Sequence, residues 1–351
     1  MLNKKKTAAL HGIAILMMIY HHLFISGNNW YINQGKSIFS VFDKIDLTGS
    51  GSAQLGFAWF CKICVAIFAF TSGYAMFKQL DKRDSFAEML KYLPRRWWSF
   101  YKKYLLAFLF FVGASFFLTR DSFDFSLTNF ILSLLGLRAG YNGTWWYVSV
   151  YYLMILVSPF ICVILKKIDI KTYIMIGTVF VVSFFVAVIG GNLYVYLKFI
   201  SMIVQNYTVI YLLIFAEGMF TARYNLVDVI GKRLNVIGSL TVLVLVYILR
   251  SILIRGASDS LFDLVLIAPF VIATVRILSC SDKLTAFFGY FGNYSAYMWY
   301  AHAYFYAYLF FIFVAKADMS LIVYVQVVFY SLVCSIAFTG IENWIFKRKL
   351  K

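Results

Sequence analysis

Apolar residues in this chain fall in long runs, and short clusters of charged and turn-forming residues separate the runs. A helix needs about 20 residues, mostly apolar, to cross the hydrocarbon core of a bilayer. Runs of that order cover roughly 7–26, 55–77, 104–119, 145–165, 172–189, 207–222, 234–254, 261–279, 289–314 and 321–346. The pattern predicts an all-α polytopic membrane protein, a bundle of about ten transmembrane helices. Pro159 and Pro269 fall inside runs, where neighbouring helices can satisfy the carbonyls that a kink frees. The first run follows Met1–Lys6 as a signal peptide would. It lacks a small-x-small cleavage site and carries His11, His21 and His22, so it reads as a retained helix. Segment 190–206 is apolar but opens with Gly190-Gly191-Asn192 and is broken by Lys198, which predicts an interfacial or re-entrant stretch. No repeat and no soluble appendage is visible, so residues 1–351 read as a single integral-membrane domain.

Composition agrees with the pattern. The 351 residues are 62% apolar and 13% charged, with a mean hydropathy of +0.80. Soluble proteins average about 45–50% apolar and about 25% charged, so a soluble domain is excluded. The net charge of +17 would point a soluble protein toward nucleic acid or an anionic surface. Here Lys and Arg sit between apolar runs, so the charge reads as topology, and no nucleic-acid partner is expected. With a cytoplasmic N-terminus, the inside segments hold 22 Lys and Arg and the outside segments 8. That count places both termini in the cytoplasm and the chain, multi-pass, in the cell membrane. Cys61 and Cys64 form a C-x-x-C with no second pair or nearby His to complete a zinc set. The five cysteines read as buried thiols, and no metal is expected.

Polar groups inside a membrane are expensive and usually face a cavity or a partner. His11 and His22 are eleven residues apart, which on a helix places them on one face, about 16 Å apart along the axis. His21 points about 100° away. An imidazole suits general-base catalysis at neutral pH; the plainer alternative is a hydrogen bond to a neighbouring helix. His302 is the only other histidine and also lies in a span.

Leu10-His11-Gly12-Ile13-Ala14-Ile15-Leu16-Met17-Met18-Ile19-Tyr20-His21-His22 resembles the first helix of the acyltransferase family 3 membrane proteins. That helix carries R-x10-H; His22 falls on the family His, and His11 replaces the Arg. Phe70-Thr71-Ser72-Gly73-Tyr74 is similar to the ending of the family's second helix. Tyr92-Leu93-Pro94-Arg95-Arg96-Trp97-Trp98 is similar to its basic opening of the third, where the usual R-x-x-R reads Arg96-Trp97-Trp98-Ser99. Thr144-Trp145-Trp146-Tyr147-Val148-Ser149 and Phe215-Ala216-Glu217-Gly218-Met219-Phe220 resemble later family stretches. Ser295-Ala296-Tyr297-Met298-Trp299-Tyr300-Ala301-His302 is similar to its Ser-x3-Tyr-x2-His, with Trp299 for Tyr, and Glu342 stands where the last helix carries a Glu. The motifs occur in family order over nearly the whole chain.

The resemblance implies an acyltransferase that moves an acetyl or other acyl group from cytoplasmic acyl-CoA to a hydroxyl of a cell-surface or exported carbohydrate. It implies His22 and His11 as catalytic residues and Arg95 and Arg96 as ligands of the coenzyme A phosphates, since guanidinium forks match phosphate oxygens. Ser72, Tyr147 and Trp146 are candidate oxyanion donors. Glu217, Asp263 and Glu342 are the carboxylates in or near spans, one of which could orient an imidazole. A separate envelope protein is a possible partner. The rival class is a transporter or flippase of lipid-linked sugars, which predicts inverted repeats; none is found.

Overall fold

The computed structural model describes residues 2–25, 53–172, 175, 207–253, 262–308 and 320–347, and all secondary structure among them is helical. In chain order the helices are α1 (Lys4–Phe24), α2 (Ala53–Cys61), α3 (Cys64–Leu80), α4 (Phe86–Leu118), α5 (Leu127–Leu134) and α6 (Tyr147–Lys167). There follow α7 (Tyr207–Arg223), α8 (Leu226–Gly231), α9 (Val236–Leu253), α10 (Asp263–Leu278), α11 (Asp282–Ala303) and α12 (Ser320–Lys347). A π-helical turn, Tyr304–Tyr308, continues α11. Expectations for 173–206, Met175 apart, lie outside the described residues, as does nearly all of 27–54.

Helix starts follow local chemistry. Asn3 caps α1 by accepting the Lys6 N–H at 3.0 Å. Ser85 accepts the Glu88 N–H at 3.2 Å at the head of α4, while the Glu88 carboxylate accepts the Asp84 N–H. Ser281 does the same for α11 through Leu284. Each such bond satisfies a backbone donor that the first turn leaves without a partner.

Among the described residues, five helical stretches are long and apolar enough to cross a membrane: Lys4–Phe24, Gln54–Leu80, Phe86–Leu118, Gly143–Lys167 and Leu321–Phe346. The surface carries Phe117, Leu127, Ile237, Val265 and Phe329, while Thr71, Ser158, Arg250, Asp263 and His302 are buried. A bundle with apolar residues outside and polar groups inside is built for lipid.

Without a hydrophobic force between helices in lipid, small residues set how closely helices approach. A Cβ on Gly12 would strike the Phe288 carbonyl, and one on Gly292 the Ala8 carbonyl, so α1 and α11 touch backbone to backbone. Gly73 against the Phe215 carbonyl and Gly218 against the Phe70 carbonyl join α3 and α7 likewise.

Contacts between helix ends fix their relative sense. Lys166 pairs with Asp81 at 3.2 Å, Lys78 donates to Asn225 at 2.8 Å, and Arg276 donates to the Leu234 carbonyl at 2.8 Å. The first half of α4 and the end of α12 meet through Trp98 and Phe346. These contacts gather the densest Lys and Arg clusters at one end of the bundle, the basic end.

Two features depart from the hydropathy pattern. The run over 55–77 is two helices, broken at Lys62 and Ile63. Arg250, one of the eight Lys and Arg that the charge count puts in outside segments, is buried and forms an ion pair with Asp263, at 2.7 Å through Nε and 3.1 Å through Nη2. Its Nη1 donates to the Trp59 and Phe60 carbonyls at the end of α2. The cation thus adds a second donor to carbonyls that also accept the Lys62 and Ile63 N–H groups at 3.2 Å across the helix break.

Candidate active site

A cavity of about 600 Å³ opens between α1, α3, α4, α6 and α11. On α1 it is lined by His11, Met18, His21, His22 and Ile25, a stretch of about 21 Å along the helix axis. Arg96, Ser99, Phe100 and Lys103 face it from α4, and Trp59, Lys62, Phe68 and Ser72 from α2, the break and α3. Thr144, Trp146, Tyr147 and Tyr151 close another side, and Asn293, Ser295 and Trp299 complete it from α11. The lining contains three fixed cations and no carboxylate among the described residues.

His302, fully buried, sets the chemistry at the end of α1. Its Nδ1 lies 2.7 Å from the Trp299 carbonyl. A carbonyl can only accept, so Nδ1 carries the hydrogen and Nε2 of the neutral ring carries the lone pair. That Nε2 lies 2.8 Å from His22 Nδ1 and accepts its N–H. His22 is thereby held as the Nδ1–H tautomer, with the basic lone pair on Nε2. The ring centroids are 5.0 Å apart and the planes 11° apart, the edge-to-edge arrangement that an in-plane N–H bond requires. Trp299 is itself fixed by an indole N–H donated to the Thr144 carbonyl at 3.1 Å.

His11 is anchored differently. Thr71 donates its hydroxyl hydrogen to the Ile67 carbonyl at 2.7 Å, leaving oxygen lone pairs to accept the His11 Nε2–H at 2.8 Å. His21 also lines the cavity, against the helical-wheel expectation, but its Nδ1–H is donated to the Ala58 carbonyl at 2.8 Å. Helix α2 packs beside the end of α1 and brings that carbonyl within reach. Arg96 donates to the Tyr151 hydroxyl, and among the described residues no carboxylate pairs with it.

A model of the family described as an acyltransferase domain matches residues 9–340. The chain belongs to acyltransferase family 3. No curated protein and no solved structure matches it.

The family motifs converge in this acyltransferase. His11, His22, Ser72, Arg96 and Trp146 all face the cavity, and His302 stands directly behind His22. Both departures from the family pattern, His11 for Arg and Ser99 for the second Arg of R-x-x-R, are cavity-lining positions. Arg95 is exposed and outside the lining. Glu217 is outside it too, with a buried Oε2 that no described group hydrogen-bonds. Glu342 is bound by Lys102 at 2.8 Å and by the Tyr297 hydroxyl at 3.1 Å. Asp263 serves Arg250. The group on His22 Nδ1 is therefore an imidazole and none of the three carboxylates. Among the described residues no cluster of His, Cys, Asp or Glu could hold a metal. Cys61, Cys64 and Cys162 are buried as expected, whereas Cys334 is half-buried and Cys280 exposed.

Sequence reasoning missed Lys62, Trp59 and Tyr151. Lys62 stood out as a charge inside an apolar run, and that was its signal. Trp59 and Tyr151 are aromatic residues in an aromatic-rich chain, with nothing to mark them.

Proposed function

We propose that the protein is a membrane O-acyltransferase that moves an acyl group, acetyl in the simplest case, from cytoplasmic acyl-CoA to a hydroxyl of a surface or exported carbohydrate. The observation that carries this reading is the hydrogen-bonded chain from the Trp299 carbonyl through His302 to His22, which ends at a cavity wall. A general base needs a lone pair in the right place and a way to hold the charge it gains. The tautomer of His22 supplies the first, and its Nδ1–H, donated to His302, the second.

In this reading the acceptor hydroxyl gives its proton to His22 Nε2 as its oxygen bonds to the acyl carbon. The proton then passes to the thioester sulfur as the carbon–sulfur bond breaks, which regenerates the neutral imidazole. Ser72, Trp146 and Tyr147 offer donors for the negative charge that develops on the acyl oxygen, the general requirement of acyl transfer. Arg96 and Lys103 suit the donor's phosphates: Arg96 has no carboxylate to satisfy first, and a guanidinium fork matches phosphate geometry. Arg95, exposed, is better suited to lipid headgroups. His11 faces the same cavity two turns into α1, where it can guide the acyl arm toward His22.

The orientation follows from the basic end. Lys and Arg collect on the cytoplasmic side of membrane proteins, so we place that end, both termini and donor binding in the cytoplasm, with about ten spans in the cell membrane. The acceptor reaches the opposite end, with or without a separate envelope partner.

The test is acetyl-CoA binding to purified protein, read as a thermal shift, together with NMR of surface glycan from a deletion strain. A stabilising shift and the loss of one acetyl resonance are expected. Absence of both sinks the reading.

A further inference from the structure

The peptides that hold His302 are gripped by a second segment of the chain. Ahead of α6 the backbone makes a 3-10 helical turn, Gly143–Trp146, and Asn142 caps it. The Asn142 Oδ1 accepts the Thr144 N–H at 2.9 Å and the Thr144 hydroxyl hydrogen at 2.7 Å. Residues 141–145 then strap the end of α11 and its π-helical turn. The Trp145 indole N–H and the Asn142 side-chain amide both donate to the Tyr300 carbonyl, at 3.2 and 3.5 Å. The Tyr304 hydroxyl donates to the Tyr141 carbonyl at 3.0 Å, and the Gly143 N–H to the Tyr308 hydroxyl at 3.2 Å. The Trp299 indole N–H answers from α11 by donating to the Thr144 carbonyl at 3.1 Å.

These bonds fall beside the relay. Trp299 and Tyr300 present consecutive carbonyls: the first accepts the His302 Nδ1–H, and the second accepts the two donors of the strap. The helix departs from its regular pattern at this point. The Tyr304 N–H turns to the Ala301 and His302 carbonyls, not to the Tyr300 carbonyl four residues back, and the π-helical turn follows. Such turns are frequent at functional sites. Asn142 and Trp145 are buried, and neither lines the cavity, so a molecule held there does not touch them.

A buried polar network with its members satisfied fixes one geometry. Catalytic geometry is demanding, since a misplacement of about 1 Å can cost about 10²-fold in rate. We propose that the 141–145 strap, with Asn142 at its centre, is a positioning device for the relay. It sets the Trp299–Tyr300 backbone, and so keeps the His302 hydrogen on Nδ1 and the His302 Nε2 lone pair aimed at His22. Asn142 is then a positioning residue that acts through His302. The kinetic consequence rests on the acyltransferase reading; the consequence for the His302 tautomer stands without it.

The experiment uses the full-length protein in proteoliposomes with isotope-labelled histidine. Solid-state nitrogen NMR separates a ring nitrogen that carries hydrogen from one that does not. With four histidines in the chain, single His→Gln variants assign each signal. The wild type should show His302 as a single Nδ1–H tautomer. N142A should add the second His302 tautomer and lower kcat for transfer from acetyl-CoA by about tenfold, the scale of one hydrogen bond, with KM for acetyl-CoA unchanged. In an H302A background N142A should lower kcat no further, because both changes act through one ring. W145F keeps the ring and removes only its N–H, so it serves as the second variant should N142A fail to fold, with the same pattern expected. An unchanged His302 tautomer in the folded variants overturns the proposal. So do losses that multiply in N142A/H302A, as a merely structural role would give. A tautomer that shifts in N142A when the wild type turns over no acetyl-CoA would support the strap and count against acyl transfer, so the two readings fail separately.

Discussion

At the scale of single residues, the chemistry rests on which nitrogen of His22 carries a hydrogen. Because His302 fixes that hydrogen on Nδ1, His22→Ala and His22→Gln should be equally inactive: Gln can hydrogen-bond but cannot take the proton. General-base catalysis contributes about 10²–10⁴-fold, and transfer assays should show a loss of that size with acetyl-CoA binding retained. His302 acts through His22 and is a positioning residue. A hydrogen bond to a charged group is worth about 1.5–3 kcal/mol, so His302→Ala should lower kcat by about 10–100-fold. His302→Gln, which can donate to the Trp299 carbonyl and accept from His22, should recover most of it. If His302→Ala leaves kcat and its pH profile untouched, the relay has no function. The sequence placed His22 and His11 on one face and named His302, and all three meet at the cavity or behind it. It could not show that an imidazole, not one of the carboxylates Glu217, Asp263 and Glu342, orients His22. That pairing joins residues 280 positions apart and depends on the register between α1 and α11. The same limit applies to His21, whose helical-wheel position says nothing of the Ala58 carbonyl that α2 brings beside it.

At the scale of elements, register is set by glycines. Gly12 and Gly292 let α1 and α11 touch, and this contact carries His22 to His302. Gly292→Ala would place a methyl group against the Ala8 carbonyl, in backbone that cannot yield without moving a helix. Such a variant should lose transfer activity and thermal stability together, whereas Gly113→Ala, with open space at the added Cβ, should lose neither. The Arg250–Asp263 pair is a second element-level device. Breaking a buried pair from one side costs about 3–5 kcal/mol, while replacing both partners with apolar residues is often neutral. Arg250→Met should therefore melt much earlier than the wild type in detergent, and Arg250→Met/Asp263→Leu should regain part of the loss. Recovery will be incomplete because Arg250 also holds the Trp59 and Phe60 carbonyls. Hydropathy located the long helices among the described residues because lipid demands long apolar runs. It read 55–77 as one helix because a two-residue break hardly alters the average over twenty residues. The extension of α4 back to Phe86 escaped it for the opposite reason: those turns are polar, and Ser85 starts them by capping chemistry.

At the scale of the whole molecule, the basic end and the proposed even number of spans make a topological prediction. A reporter fused after Lys351 should read cytoplasmic, and one within 27–54 external; an external C-terminus would overturn the orientation. Family membership was legible because its motifs recur in order along the chain, although each is short. What they enclose was not legible, since a cavity is a property of packed helices. That cavity has a consequence for the cell that owns it. A membrane holding a proton gradient is endangered by any wet passage reaching deep into it, and a cavity lined by residues from His11 to Ile25, about 21 Å apart along the helix axis, is such a hazard. Pores exclude cations by fixed positive charge, and a lining that holds Arg96 and Lys103 and, among the described residues, no carboxylate opposes the entry of hydronium and sodium alike. The charges proposed to bind substrates thus also insulate the bilayer. Reversing one of them, as in Lys103→Glu, should make proteoliposomes lose an imposed pH gradient faster than those holding the wild type.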